Sequence, residues 1–425
     1  MPILAHANTT TNDQNGSWGD YKFVCPADSA TLTPITVLAA TGEHNTFLSQ
    51  PIDRFFLSTK LYRPIDRFFL STKLYRPIDR FFLSTKLYSW SCRTTPLEEI
   101  IMIRIVLDTD LGMGEPGSEI DDGFALALAI ADPDIKLELV TTVNGNTDVE
   151  TATLLSLELL DRIGRPDIPV VKGAAARLTR PDKARTAPAA IVDKYGHRNP
   201  EQGYAASAIV DLVMKNPGEI TVVAIGPTTN IAAALSLEPR LATNVKELVM
   251  MGGSYLEHVT WGSGAEFNVR TDPESAYAVL HSGAKQRWVG FDVTLKVHLT
   301  LEHARQMKQS KGKFSSFAGE FTEQWIERLK RELPGVHSKE SKLDSCAMHD
   351  PLAVAIVTHP EFVQWKPAFV SVITGEGEGA GMNVTDLLAA KGHHGFEQRV
   401  PNCEIAVSVD APKFMEFFLS KVTKL

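Results

Sequence analysis

The sequence predicts an α/β fold, an open doubly wound and mostly parallel sheet flanked by helices, over residues 101–425. Three observations carry this. Apolar runs of strand length alternate with amphipathic helical patterns from Ile100 onward. The first run, IIMIRIVLDTD, is continuous rather than alternating, as in a strand buried on both faces. Polar and acidic residues gather immediately after the runs, where such sheets place their ligands.

The elements follow in order. After the first run, KLELVTTV, IPVVKGA, EITVVAIG, KELVMMGG and QRWVGFDV read as strands, interleaved with helices at VETATLLSLELLDRIG, YAASAIVDLVMKNP and DPESAYAVLHSG. FSSFAGEFTEQWIERLKREL reads as an amphipathic helix and LAVAIVTHP as a further helix. AFVSVITG and CEIAVSVDAP close the sheet before a last helix at PKFMEFFLSKVTKL.

Residues 1–100 have a different texture. Residues 1–50 lack either period, and PIDRFFLSTKLYR at 51–63 repeats letter for letter at 64–76 and again at 77–88, until Ser89 breaks it. Structural repeats diverge and run about 20 to 50 residues, so identical 13-mers read as a duplication without function rather than as fitted parts of a core. The competing reading is a basic, aromatic membrane or partner segment. A chain beginning at Met102 is expected to fold and act as the full chain does.

Composition narrows the functions. With 44% hydrophobic and 22% charged residues the 425-residue chain is a folded protein, and a net charge of −8 repels phosphate backbones, so no nucleic-acid partner is expected. No apolar stretch is long enough to span a membrane, and the first residues do not form a secretory signal, so no membrane partner and a cytoplasmic location are expected. Cys25, Cys92, Cys346 and Cys403 form no CxxC pair, which argues against a disulfide framework or zinc knuckle. A small-molecule substrate remains.

The chemistry sits after the strands. Asp108 and Asp110 end the first run, and Asp121 and Asp122 open the helix that follows. Capping would explain the second pair. It does not explain two acids at the end of a buried strand, whose charges would repel. A hard divalent cation such as Ca²⁺, which takes six to eight oxygen ligands, resolves the conflict. Gly112-Met113-Gly114-Glu115-Pro116-Gly117 matches G-x-G-x-x-G, but the surrounding acids would face a pyrophosphate, which argues against a dinucleotide. Asn144 and Asn146, Thr228 to Asn230, then Glu266 and Asn268 supply the short donors and acceptors a ribose requires, although turns use the same residues. His349-Asp350 heads the LAVAIVTHP helix and adds a carboxylate.

In this order, DTD…DD, TTVNGN, VVAIGPTTNIA, VMMGGSY, EFNVRTDPESA and HDPLAVA resemble the inosine-uridine preferring nucleoside hydrolase family from residue 102 to about 425. The resemblance implies a catalytic domain that hydrolyses the N-glycosidic bond of ribonucleosides to ribose and free base, in a homodimer or homotetramer. It implies Asp110 as catalytic base and Ca²⁺ ligand, Asp122, Asp350 and the Ile225 carbonyl as further ligands, and Asp121, Asn146, Glu266 and Asn268 as partners of the ribose hydroxyls. Met251 would line the sugar pocket, and His349, with an ordinary pKa of about 6.5, would protonate the leaving base.

Two departures qualify it. The family loop DTDPGxDD places five positions between base and second ligand, whereas Asp110 to Asp122 spans twelve, so a seven-residue insertion is expected to bulge outward, with Glu119 or Asp121 as substitute ligands. The HGxxG segment is absent: Tyr195-Gly196-His197-Arg198-Asn199 stands there, and Thr260 replaces an expected Asn. His197, Tyr204 and Trp261 are candidates for stacking on the base. Asp-x-Asp after a first strand also resembles haloacid dehalogenase-like phosphatases, although Gly112 stands where that pattern wants Thr or Val. A binding protein that keeps the ribose pocket without turnover is the third reading.

Overall fold

The computed structural model describes residues 102–179, 184–257, 264–332, 344–388 and 398–425. The repeats at 51–88, Thr260 and Trp261 lie outside the described residues. Strands β1 (Ile103–Thr109), β2 (Ile135–Thr142), β3 (Val170–Lys172), β4 (Ile220–Ala224), β5 (Glu247–Met251), β6 (Gln286–Val289) and β11 (Cys403–Val409) lie parallel in the order β3-β2-β1-β4-β5-β6-β11. On the far side β9 (Val363–Val372) and β10 (Asn383–Asp386) add antiparallel to complete nine strands. A separate antiparallel ribbon pairs β7 (His298–Thr300) with β8 (Ser345–Ala347).

The helices of the described residues are α1 (Asp121–Ala131), α2 (Val149–Ile163), α3 (Ala189–Tyr195), α4 (Ala205–Lys215), α5 (Thr229–Leu237), α6 (Leu241–Asn244), α7 (Phe267–Thr271), α8 (Pro273–Leu280), α9 (Phe291–Thr294), α10 (Leu301–Lys308), α11 (Lys313–Glu332), α12 (His349–Thr358) and α13 (Ala411–Val422). None is long and apolar enough to cross a membrane.

Two cores explain the continuous apolar strands. Successive side chains of a strand point to opposite faces. Ile105 and Leu107 of β1 join Val249 and Met251 of β5 in a core covered by α1, α2, α11, α12 and α13. Val106, with Leu248 and Met250, joins the opposite core under α4, α5 and α8. The sheet is therefore doubly wound, as its sequence predicts.

The chain runs outward from β1 through β2 to β3, then returns to the other side of β1 and continues through β4, β5 and β6. The reversal opens a crevice beyond the carboxyl ends of β1 and β4, where backbone leaving adjacent strands diverges. β1 ends at Thr109, with Asp110 next, and β4 ends at Ala224, with Ile225 next.

The insertion after β1 departs from the expected outward bulge. Leu111, Met113 and Ile120 are wholly buried in the first core, and the partly exposed stretch is Glu115–Glu119. Its apolar positions are drawn inward because exposing them would forfeit their transfer free energy. Tyr195 Oη donates to the Gly114 carbonyl at 3.3 Å and Arg328 Nη1 to that of Gly117 at 2.5 Å, which fixes the loop against α3 and α11. So folded, it brings Asp121 and Asp122 back to the crevice despite the added residues.

Candidate active site

Five aspartates meet at the crevice, all buried: Asp108, Asp110, Asp121, Asp122 and Asp350. Asp108 Oδ1 accepts from Thr141 Oγ1 at 2.5 Å and Asn230 Nδ2 at 2.7 Å, which ties the ends of β1 and β2 to the start of α5. Its Oδ2 is buried without a partner, and burial pushes its carboxyl up to about 7.

Asp110 accepts the Asn146 N–H on Oδ2 at 2.5 Å, while its Oδ1 is buried without a partner. Burial first, and then the charge of Asp122, raise its carboxyl well above the usual range. Gly145 and Gly226 face it from either side, and a Cβ at Gly145 would overlap its Oδ2. The close approach of two backbones to one carboxylate therefore requires glycine at both positions. Asp122 accepts from Thr109 Oγ1 at 2.5 Å and Asn146 Nδ2 at 3.0 Å, so one asparagine holds both carboxylates.

Asp121 does not cap its own helix. Neither it nor Asp122 does so, since both lie inside α1, whose N-cap position is Ile120 with no side-chain cap. Asp121 Oδ2 instead accepts the N–H groups of His349 at 3.1 Å and Asp350 at 3.2 Å, capping α12 across the crevice, and Oδ1 has no partner. Burial raises the Asp121 carboxyl to about 7, and that of Asp350 well above the usual range, with Asp121, Asp122 and Asp110 adding repulsion. Carboxylate oxygens of Asp121, Asp122 and Asp350 lie within 4.8 Å of one another. That triplet holds Asp121 where the sequence puts Asp110; Asp110 is tied to Asp122 through Asn146.

So many carboxyls held against their ordinary ionisation, three with a buried oxygen unpartnered, form a donor set for a hard cation. Glu119, from the insertion, is raised by burial and by the charges of Asp121, Asp122 and Glu266, and so belongs to the same field.

The sugar side is built from the β4, β5 and α7 ends. The Ile225 carbonyl accepts Asn268 Nδ2 at 2.8 Å, and the same amide reaches the Met251 carbonyl at 3.2 Å. Glu266 caps α7: Oε1 accepts the Asn268 N–H at 2.9 Å, and Oε2 those of Gly253 at 2.9 Å and Val269 at 3.1 Å. The loops carrying Ile225, Met251, Glu266 and Asn268 are thereby one hydrogen-bonded unit.

His349 lies stacked on Phe291, ring centroids 5.0 Å apart, with Nδ1 at 2.6 Å from Thr294 Oγ1. Burial lowers its pKa to about 3. The expectation of an ordinary value near 6.5 is thus corrected: the imidazole is neutral at pH 7, can donate a hydrogen bond to a departing base, and must take up a proton before it can deliver one. His197 is exposed beside Glu158 and Asp161 of α2, with its Nε2 at 3.4 Å from an Asp161 carboxylate oxygen. Tyr204 is half-exposed at the start of α4. Sequence reasoning passed over Thr109, Thr141, Thr294 and Phe291, which lie beside the motifs but show no signal until their partners are brought near.

The inosine-uridine preferring nucleoside hydrolase model matches residues 105–416. The chain is 33% identical over 295 residues to probable uridine nucleosidase 2 of Oryza sativa subsp. japonica, covering 66% of this chain and 80% of that protein. It is 33% identical over 319 residues to the non-specific ribonucleoside hydrolase RihC of Klebsiella pneumoniae subsp. pneumoniae, covering 74% and 96%. Among solved structures, a plant nucleoside hydrolase superposes with a TM-score of 0.67 at 26% identity, covering 76% of this chain and 99% of that one. The purine-preferring ribonucleoside hydrolase of Gardnerella vaginalis gives 0.63 at 28%, covering 76% and 98%. With its motifs gathered at the β1/β4 crevice and the family model spanning the described domain, the chain belongs to the inosine-uridine preferring nucleoside hydrolase family.

Proposed function

We propose that the protein hydrolyses ribonucleosides to ribose and free base with a Ca²⁺ ion at the aspartate cluster and Asp110 as general base. Ribonucleoside hydrolysis follows from the family. The cation and the role of Asp110 are supported by one observation above all: buried carboxylates converge with Asp108 Oδ2, Asp110 Oδ1 and Asp121 Oδ1 unpartnered. Asp110, Asp122 and Asp350 with the Ile225 carbonyl would hold the ion, and Asp121 stands close enough to share in that role. When bound, Ca²⁺ would offset this negative charge and orient both ribose hydroxyls and the attacking water.

Asp110 takes the proton as the water oxygen bonds to the anomeric carbon and the carbon–nitrogen bond breaks. The bond electrons leave with the base, which needs a proton. Positive charge grows on the ring, and the surrounding carboxylates lower its energy, as in other glycoside hydrolyses. Asn146, through its two bonds, keeps Asp110 and Asp122 in register for this step. In this reading Asp121, Asn146, Glu266 and Asn268 would meet ribose hydroxyls, with Met251 lining the sugar side and His349 beside the departing base. The oxygens of Glu266 already hold backbone amides, so its contribution is to fix the pocket as well as to accept.

The phosphatase reading loses its support with the family match, and the binding-only reading is decided by turnover. The assembly expected is a homodimer or homotetramer in the cytoplasm. Asp110→Asn should keep the fold and lower kcat at least about a hundredfold, because it removes a base and a metal charge together. Ribose release at near-normal rate by this variant would overturn the mechanism.

A further inference from the structure

We propose that Arg185 is a positioning residue for the catalytic aspartates, acting through the 144–147 turn. Its guanidinium makes three hydrogen bonds there. Nη2 donates to the carbonyls of Gly145 and Thr147, both at 2.5 Å, and Nε donates to Asn144 Oδ1 at 3.1 Å. A planar fork that reaches two carbonyls and a side-chain oxygen fixes the orientation of the turn, which a point charge does not.

Other bonds fix the rest of the turn: Asn144 N–H reaches the Ala174 carbonyl at 2.9 Å, Gly145 N–H the Thr147 carbonyl at 3.0 Å and Thr147 Oγ1 the Leu111 carbonyl at 3.2 Å, while the carbonyls of Gly145 and Thr147 are held by Arg185. What the turn presents inward is Asn146, whose N–H and Nδ2 hold Asp110 and Asp122, and Gly145, which packs on Asp110 without room for a Cβ. A rotation of this turn would therefore move both carboxylates. Arg185 itself is exposed and comes from the segment between β3 and α3, far in sequence from every motif.

The inference rests on the proposed role of Asp110, and the experiment separates the two. kcat, KM and the calcium-induced rise in Tm are measured for the full-length protein, Arg185→Ala, Arg185→Lys, Asp110→Asn and the double variant. A misplacement of about 1 Å can cost about 10² in rate, so Arg185→Ala should lower kcat by about ten- to a hundredfold. KM should change by less than about threefold, since only positioning is lost. The calcium-induced rise in Tm should shrink, guanidinium ion should restore part of kcat, and Lys should restore little. In the Asp110→Asn background the same change should cost almost nothing more, because the two act on one step.

An unchanged kcat, a rise in KM alone, or a loss that guanidinium does not relieve and that adds fully to Asp110→Asn would overturn the positioning role. If Asp110→Asn itself turns over normally, the base assignment fails instead. Should Arg185→Ala not fold, Arg185→Lys carries the test: a kcat equal to the parent's refutes the proposal.

Discussion

At His349 the imidazole stacks on Phe291, its Nδ1 meets the Thr294 hydroxyl, and burial keeps it neutral down to about pH 3. The rate is therefore not expected to lose activity through this group near pH 6.5. If the ring delivers a proton to the departing base, His349→Ala should slow purine nucleosides about 10²-fold more than nitrophenyl riboside, whose leaving group needs none. Equal losses on both substrates, measured as kcat/KM, would show that His349 serves only to orient Asp350. The five aspartates tell the complementary story, because each is raised by the same desolvation, and only a cation or a proton relieves it.

At the scale of elements, the first turns of α1 and α12 carry Asp121, Asp122 and Asp350, and the 144–147 turn holds Asp110. The 144–147 turn presses Gly145 against Asp110, so Gly145→Ala should displace that carboxylate and reduce both turnover, by at least about tenfold, and calcium stabilisation. Unaltered kcat with an unaltered calcium response would contradict the packing described. Most of this architecture was legible in the sequence: the run IRIVLDT is β1, and the residues following VVA and VMM line the crevice because parallel strands deliver their carboxyl ends to one edge. β9 starts at Val363, ahead of the AFVSVITG run, and runs through Pro367, a residue that normally argues against a strand. The insertion's inward course was also illegible. It depends on α3 and α11 offering Tyr195 and Arg328 to its carbonyls, contacts between segments far apart in the chain. The sequence suggests Asp121 as a cap of α1 or a ribose partner, and its bonds to the α12 amides arise only where the two helices are brought together.

For the molecule as a whole, these groups set how stability follows pH. Asp108 and Asp121 are raised to about 7, so without a cation the folded state binds more protons than the unfolded chain between their ordinary values near 3.8 and that point. Stability they contribute is present below about pH 4 and is lost as pH rises through about 7. His349 acts in the opposite sense between about pH 3 and 6.5, but it is one group against several acids. The Tm of chelator-treated protein should thus fall from about pH 5 to pH 8, and calcium should raise it more at pH 8 than at pH 5. A Tm that climbs over this range without metal would mean that the acids are not buried together.

The most direct measurement is release of ribose from a panel of ribonucleosides, each with and without a calcium chelator and again after calcium is restored. The account predicts ribose and free base from at least one nucleoside, abolished by the chelator and recovered on adding Ca²⁺. Hydrolysis that persists undiminished in chelator, or release of phosphate from phosphomonoesters with none of ribose, would contradict it.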